Sequence, residues 1–338
     1  MNYKINKPIR LLEFFGGIGS QSTALERLGA DFTSYKLIEI DKYCVRTYNI
    51  LHKTNFSVCD IKNIHSEDLE ILDQDEYTYI FTYSFPCQDI SNAGSNEGFS
   101  KGSNTRSSLL WELERILVEL SNNLPPVLIM ENVPAILSKR NIGNFERWKE
   151  FLSEMGYRNF VSVLNSKDFG IPQNRDRCFM VSIKGDFEYI FPEKKTLTAS
   201  LNDFLEENVS EKYFLSDSMK RYISAKPSKN YLIPKPIINP KIARTICANY
   251  GRYRAGINTY ISPDKPDNYD LSKCENIEEV RIRKLTPCEC WKLMGFTELE
   301  FDQIQNYNSD TQLYKQAGNA IVIPVLENIF KMLIGGKQ

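Results

Sequence analysis

Over the first 130 residues, apolar runs of β character alternate with stretches of helical spacing, and no other feature limits the possible folds as strongly. Residues 9–14, 35–38, 77–81 and 127–130 read as strands, whereas 22–28, 42–52 and 107–120 repeat their apolar side chains at three- and four-residue intervals. A chain that alternates in this way buries a mostly parallel sheet between helices, a doubly wound α/β architecture. Further on, residues 157–164 and 178–183 read as a hairpin flanking Gln173-Asn174-Arg175-Asp176-Arg177.

The special residues gather just after those strands, at 15–20, 39–41, 85–88 and 131–132. In an open α/β sheet the carboxyl ends of the strands form the ligand crevice, so these groups are expected to converge there. The chain has 338 residues, 42% of them hydrophobic, which is enough for this core and a second, smaller one. From about residue 187 to 280 the pattern loosens into Pro-rich stretches (226–240, 262–268), and helical spacing resumes over 285–331 around a turn at Gln316-Ala317-Gly318-Asn319. The expected division is therefore 1–185, a loop-rich 186–280, and a segment 281–338 that returns to the first domain.

Eight scattered cysteines without Cys-x-x-Cys spacing, and only His52 and His65, argue against a zinc site, a disulfide framework, a Cys-His protease or a Ser-His hydrolase. No metal is expected. No apolar run approaches the roughly 20 residues of a membrane span, and the N-terminus lacks a signal-peptide pattern, so the expected location is cytoplasmic, with no membrane partner. The formal charge of −1 hides an asymmetry: residues 211–260 hold ten Lys or Arg against two acids. That block suits either phosphate neutralisation or a solvated basic face.

Phe15-Gly16-Gly17-Ile18-Gly19-Ser20 lies between a strand and a helix but is not the Gly-x-Gly-x-x-Gly dinucleotide fingerprint. Glu39, ending the second strand, can accept both hydroxyls of a ribose, and Asp60 can accept from an adenine amino group. An adenosine pocket without a phosphate-cradling loop suits S-adenosylmethionine. Cys87 follows the third strand on a stiff turn between Pro86 and Gln88. Glu131, ending the next strand, opens into the same crevice, where a partly desolvated carboxyl can hold a proton and act as general acid. Arg175 and Arg177, two residues apart on an extended stretch, point the same way, and a guanidinium there can hold a base carbonyl and raise the thiolate fraction of Cys87.

On these residues the chain resembles the cytosine-C5 DNA methyltransferase family of restriction-modification type, over nearly its whole length and motif by motif. Residues 13–20 resemble the cofactor loop, Glu39-Ile40-Asp41 and Asp60-Ile61 the ribose and adenine contacts, and Phe85-Pro86-Cys87-Gln88 the nucleophile motif. Glu131-Asn132-Val133 is similar to the acid motif and Gln173-Asn174-Arg175-Asp176-Arg177 to the paired-arginine motif. Residues 283–296 resemble the segment supporting the recognition domain, and Gly318-Asn319-Ala320 the closing cofactor motif. The chain departs from the family at Glu13, where Asp is usual, at Ser20 and Ser84, where Gly is usual, and at Tyr79, near which an acid is usual.

The resemblance implies an S-adenosylmethionine-dependent fold in which 1–185 catalyses and binds cofactor and 186–280 recognises the target. Cys87 would add to carbon 6 of a flipped-out cytosine, Glu131 would protonate the ring, and Arg175 would hold the base carbonyl, with Asn132 and Pro86 shaping the pocket and Arg177 completing the catalytic set. Cofactor contacts are expected from Phe15, Gly17, Ile18, Gly19, Glu39, Ile40, Asp60, Ile61, Pro86, Leu109, Asn319 and Ala320. Duplex DNA contacts are expected from Gln88, Ser91 and Arg106, through a loop at 91–106 that closes over the base, and from Arg244, Asn249, Arg252, Arg254 and Asn258. A monomer is expected, with a cognate restriction endonuclease as functional partner. Two other readings stay open: a tRNA methyltransferase of the same family, whose Cys-Phe-Thr signature is replaced here by Ile246-Cys247-Ala248, and a silent homologue that only binds nucleic acid, which would not need the catalytic set intact.

Overall fold

The computed structural model describes residues 1–90, 98–103, 105–224, 237–252 and 258–334. By internal contacts the chain forms two compact units: Met1–Leu164 with Asp176–Glu193 and Val325–Gln338, and Asn165–Arg175 with Lys194–Pro324.

Continuous apolar runs become the strands of the first unit. β1 (Ile9–Phe14), β2 (Phe32–Ile38), β3 (Thr78–Tyr83) and β4 (Val127–Asn132) pair in parallel in the order β2-β1-β3-β4. β3 and β4 are buried at every position, as a sheet covered on both faces requires. The sheet continues into Asp176–Lys184, antiparallel to β4, and then Tyr157–Asn165 (β5), so the two arms of the expected hairpin are neighbours.

Helices α1 (Ser20–Arg27), α2 (Lys42–His52), α3 (Leu110–Leu120) and α4 (Ile142–Glu154) fill the successive connections. Asp41 starts α2 by accepting from the Tyr43 N–H at 2.9 Å. α4 was not expected, although Phe145, Trp148 and Leu152 put a buried stripe on one face. The core joins Phe14, Phe81, Leu113, Leu128, Met130 and Trp148. Because β1 lies between β2 and β3, the strand order reverses there. This switch point opens the crevice beyond the carboxyl ends of β1 and β3, which the Ser84 N–H links by donating to Phe14 O at 3.4 Å.

In the second unit the strands are two residues long. β6 (Gln173–Asn174), which precedes Asp176–Lys184 (β7), pairs with β9 (Ala243–Arg244). β8 (Ile237–Ile238), β10 (Tyr260–Ile261), β11 (Tyr269–Asp270) and β12 (Arg283–Lys284) form a sheet in the order β11-β8-β10-β12. A small core of Leu215, Ile223, Ile238, Tyr260, Leu271 and Ile282 lies with them. Helices α5 (Asp217–Ser224), α6 (Pro287–Lys292), α7 (Glu298–Ile304) and α8 (Asp310–Asn319) complete it, and α9 (Ile323–Ile334) ends the described chain.

Two sequence expectations shift. Residues 281–324 pack with the second unit, because β12 joins its sheet and Arg283 pairs with Glu289 at its start; only residues from Val325 onward return to the first. Residues 316–319 are the last turn of α8, and the break falls at 320–322. Residues Asp310–Ile334 have the length and apolar content of a membrane span, but they form two helices, with Ile329, Phe330 and Leu333 fully buried.

Candidate active site

Beyond β1 the chain enters the left-handed region three times, at Phe15 (φ 56°), Gly17 (φ 59°) and Gly19 (φ 84°). An aromatic residue held there costs of order 1–3 kcal/mol. The Phe15 N–H donates to Ile38 O at 2.7 Å, tying the loop to the end of β2. A Cβ at Gly19 would lie 2.3 Å from His52 Nε2, whereas one at Gly17 would meet nothing within 4 Å. Gly19 is thus required by packing beneath the loop, and Gly17 leaves its backbone open above it.

The Gly17 N–H donates to Glu39 Oε2 at 3.0 Å and the Asp41 N–H to Oε1 at 2.7 Å. Burial pushes the Glu39 carboxyl above its ordinary range, and these two N–H groups oppose that rise. Each oxygen keeps capacity for a further donor. The Cys59 N–H donates to Glu39 O at 2.9 Å, setting Asp60 beside the end of β2, where it caps a short turn by accepting from the Lys62 N–H at 3.0 Å. Of the expected apolar contacts, Ile40 is 64% exposed, a free platform beside Glu39, while Ile18 and Ile61 are buried in the core. Leu109 packs half-buried against the same core. Below the loop, Glu13 is fully buried and accepts from Ser22 Oγ at 2.8 Å and from the Tyr48 hydroxyl.

The turn carrying Cys87 is pinned on three sides. Asn132 Nδ2 at the end of β4 donates to Phe85 O at 3.1 Å, and Ser107 Oγ donates to Pro86 O at 2.5 Å. Asp89 and Ser107 bond reciprocally, the Ser107 N–H to Asp89 Oδ2 at 2.9 Å and the Asp89 N–H to Ser107 Oγ at 3.3 Å. Cys87 itself is half-buried. Arg106 Nη1 donates to Gln88 Oε1 at 2.9 Å, so two expected DNA contacts sit together on the exposed side of this turn. Ser91 and most of the expected closing loop lie outside the described residues.

Glu131 precedes Asn132 and faces Phe179 across the antiparallel ladder, which places Arg177 diagonally on the same face. Arg177 Nε lies 3.0 Å from Glu131 Oε1, both groups being largely buried. Arg175 does not share this arrangement. It is 3% exposed, and its guanidinium donates from Nη1 to Ile246 O at 2.7 Å and from Nη2 to Gly318 O and Ala320 O, each at 2.9 Å. The expectation that Arg175 holds a base carbonyl meets a guanidinium committed to backbone carbonyls.

Among the expected recognition residues, Asn249 and Arg252 are exposed and Arg244 is half-buried, burial pushing its guanidinium below its ordinary range. Asn258 is 2% exposed and donates from Nδ2 to Tyr250 O at 3.1 Å and Arg252 O at 2.9 Å, which makes it a former of this turn. Arg254 lies outside the described residues. In the second unit, Asn319 is exposed and Ala320 buried. No group of His, Cys, Asp and Glu among the described residues is arranged to hold a metal ion. The Asp89–Ser107 pair and the carbonyl partners of Arg175 carry no local sequence signal, because each joins residues far apart in the chain.

A family model described as C-5 cytosine-specific DNA methylase matches residues 9–335. The chain is 39% identical over 285 residues to the type II methyltransferase M2.ScrFI of Lactococcus lactis subsp. cremoris, covering 84% of this chain and 72% of the relative. It is 30% identical over 331 residues to the type II methyltransferase M.NlaX of Neisseria lactamica, covering 96% of both. The solved structure of the Entamoeba histolytica methyltransferase EhMeth superposes with a TM-score of 0.79 at 22% identity, covering 97% of this chain and 98% of the other. That of S. pombe Dnmt2 gives 0.76 at 20% identity, covering 96% and 98%. At such identities the structures speak for the fold; the family match and the sequence relatives give the family. The chain belongs to the C-5 cytosine-specific DNA methylase family and is a DNA (cytosine-5-)-methyltransferase.

Proposed function

We propose that this enzyme methylates one cytosine of a specific duplex site through a covalent adduct of Cys87, with S-adenosylmethionine as donor, as the modifying partner of a restriction system. One observation carries the mechanism. Asn132 holds the Cys87 turn through Phe85 O at 3.1 Å, while its neighbour Glu131 pairs with Arg177 at 3.0 Å, which supports a reading in which β4 supplies the acid and tethers the turn of the nucleophile.

The loop after β1 has the form this donor needs: an open backbone at Gly17, a carboxylate at Glu39 for the ribose, an exposed Ile40 for the adenine face, and Asp60 close by. Bound there, S-adenosylmethionine supplies a methyl group on a positively charged sulfur. Cys87 Sγ, as thiolate, bonds to carbon 6 of the cytosine and breaks the 5,6 double bond, which turns carbon 5 into an enamine-like nucleophile. Glu131 delivers a proton to ring nitrogen 3 as charge develops and recovers it when the 5,6 double bond re-forms. Arg177, in place of Arg175, orients the Glu131 carboxyl and is the guanidinium available to the base carbonyl. After methylation the carbon 5 proton leaves to water and the Cys87–carbon 6 bond breaks. Stacking blocks both ring faces in a duplex, so the cytosine must be flipped out, at a cost of a few kcal/mol.

Radiolabelled methyl transfer to duplex DNA and to total tRNA, followed by bisulfite sequencing, tests substrate and site together; label in tRNA with inert DNA would overturn the proposal. Cys87→Ser should lower kcat by roughly 10⁴-fold or more, the scale on which loss of a nucleophile acts. A duplex with 5-fluorocytosine at the target should trap the wild-type protein in a band that survives denaturation, because fluorine cannot leave as a proton does.

A further inference from the structure

The mechanism leaves Arg175 and the preceding strand β6 without a part, although both are held by buried hydrogen bonds in the second unit. Gln173 is fully buried; its Oε1 accepts from the Ile246 N–H at 2.9 Å and its Nε2 donates to Leu293 O at 2.8 Å. Thr245 Oγ1 donates to Asn174 O at 2.6 Å. Arg175 takes Ile246 O, so both polar groups of that backbone residue belong to side chains of one short strip. The other Nη of Arg175 holds Gly318 O and Ala320 O.

Gly318 supplies an independent contact between the same segments. A Cβ there would come within 2.2 Å of Ala248 N and Cys247 C, so the two backbones touch and only glycine permits it. Residues 245–248 lead into the stretch expected to read DNA, and 318–320 form the motif expected to close on the cofactor. A planar guanidinium directs its two Nη atoms to separate carbonyls at fixed angles, a geometry a lysine ammonium does not reproduce.

We propose that Arg175 is the joint between cofactor binding and target recognition: a positioning residue through which occupancy at 318–320 fixes the recognition segment 244–252. The inference rests on the proposed reading of those two segments. Coupling of this kind is reciprocal, so DNA held by 244–252 also fixes 318–320.

Hydrogen exchange with S-adenosylhomocysteine as the probe, without DNA, tests it. In the wild type the probe should slow exchange at 318–320 and also at 244–252, the latter by about fivefold or more, the lower end of coupling between linked sites. In Arg175→Lys the probe should still protect residues 15–19 and 318–320 but leave 244–252 at its unliganded rate. Gly318→Ala, which pushes the backbones apart with Arg175 intact, should uncouple them in the same way. Should Arg175→Lys lose cooperative melting, the wild type and Gly318→Ala decide the matter. Protection at 15–19 and 318–320 with none at 244–252 in the wild type would overturn the joint. So would transmission through Arg175→Lys at the wild-type level. No protection at 15–19 or 318–320 would instead bring down the cofactor reading, and the joint with it.

Discussion

In the first unit, strands of six to nine residues bury apolar side chains against helices. In the second, strands of two residues are stitched by polar side chains that are themselves buried. Arg283 and Glu289 are 5% and 0% exposed and bond through both Nη atoms at 2.8 Å. Asn239 donates to Ser262 O and Lys265 O and accepts from the Ser262 N–H. The difference teaches what each mode of construction demands. Apolar packing tolerates many sequences of similar volume, whereas a buried polar network is favourable only when every member is present.

Single substitutions can break that contrast. The largest effect should follow Glu289→Ala, which strands Arg283 and removes the acceptor of the Thr286 and Glu206 N–H groups, costing about 3–5 kcal/mol. Denaturant unfolding read at Trp291 in the second unit, against Trp111 and Trp148 in the first, would report it; a loss below 1 kcal/mol would mean the network is dispensable. Leu128→Ala, in the centre of the covered sheet, should cost about 2–5 kcal/mol with little dependence on salt. Glu13 sharpens the comparison, being a polar group sunk into the apolar unit. Burial raises its pKa, with the Tyr48 and Ser22 hydroxyls opposing, so the folded protein keeps a proton that the unfolded chain releases. Stability should therefore fall as pH rises from the ordinary glutamate range through the raised value, and Glu13→Gln should flatten that part of the melting curve. Smallest of all should be Asp73→Asn: the exposed 3.1 Å pair with Arg10 is worth at most about 1 kcal/mol, and Arg10 keeps its place over the Tyr77 ring at 3.7 Å.

The same contrast explains what could be read from the chain alone. Strands β1 to β4 and helix α2 are legible because covered strands show as apolar runs and helices as spaced ones. With them came Glu39, Cys87 and Glu131, each placed at or just beyond a strand end. Two-residue strands leave no period to find, and the second unit's buried asparagines and arginine are polar letters in its interior. For that reason Asn258 resembles a base reader in the sequence while forming a turn in the structure. Arg175 and Arg177 are equivalent at two-residue spacing only if one strand carries both. Arg175 falls between β6 and β7, and its partners lie 71, 143 and 145 residues away.

Arg177 and Glu131 stand diagonally on one face of one antiparallel ladder, and this has a bearing on timing. The separation of their backbones is a property of strand spacing, so it is established when the sheet forms. A shift of one residue between β4 and β7 would turn Arg177 to the opposite face. Bringing these two residues side by side therefore asks no backbone rearrangement of DNA uptake.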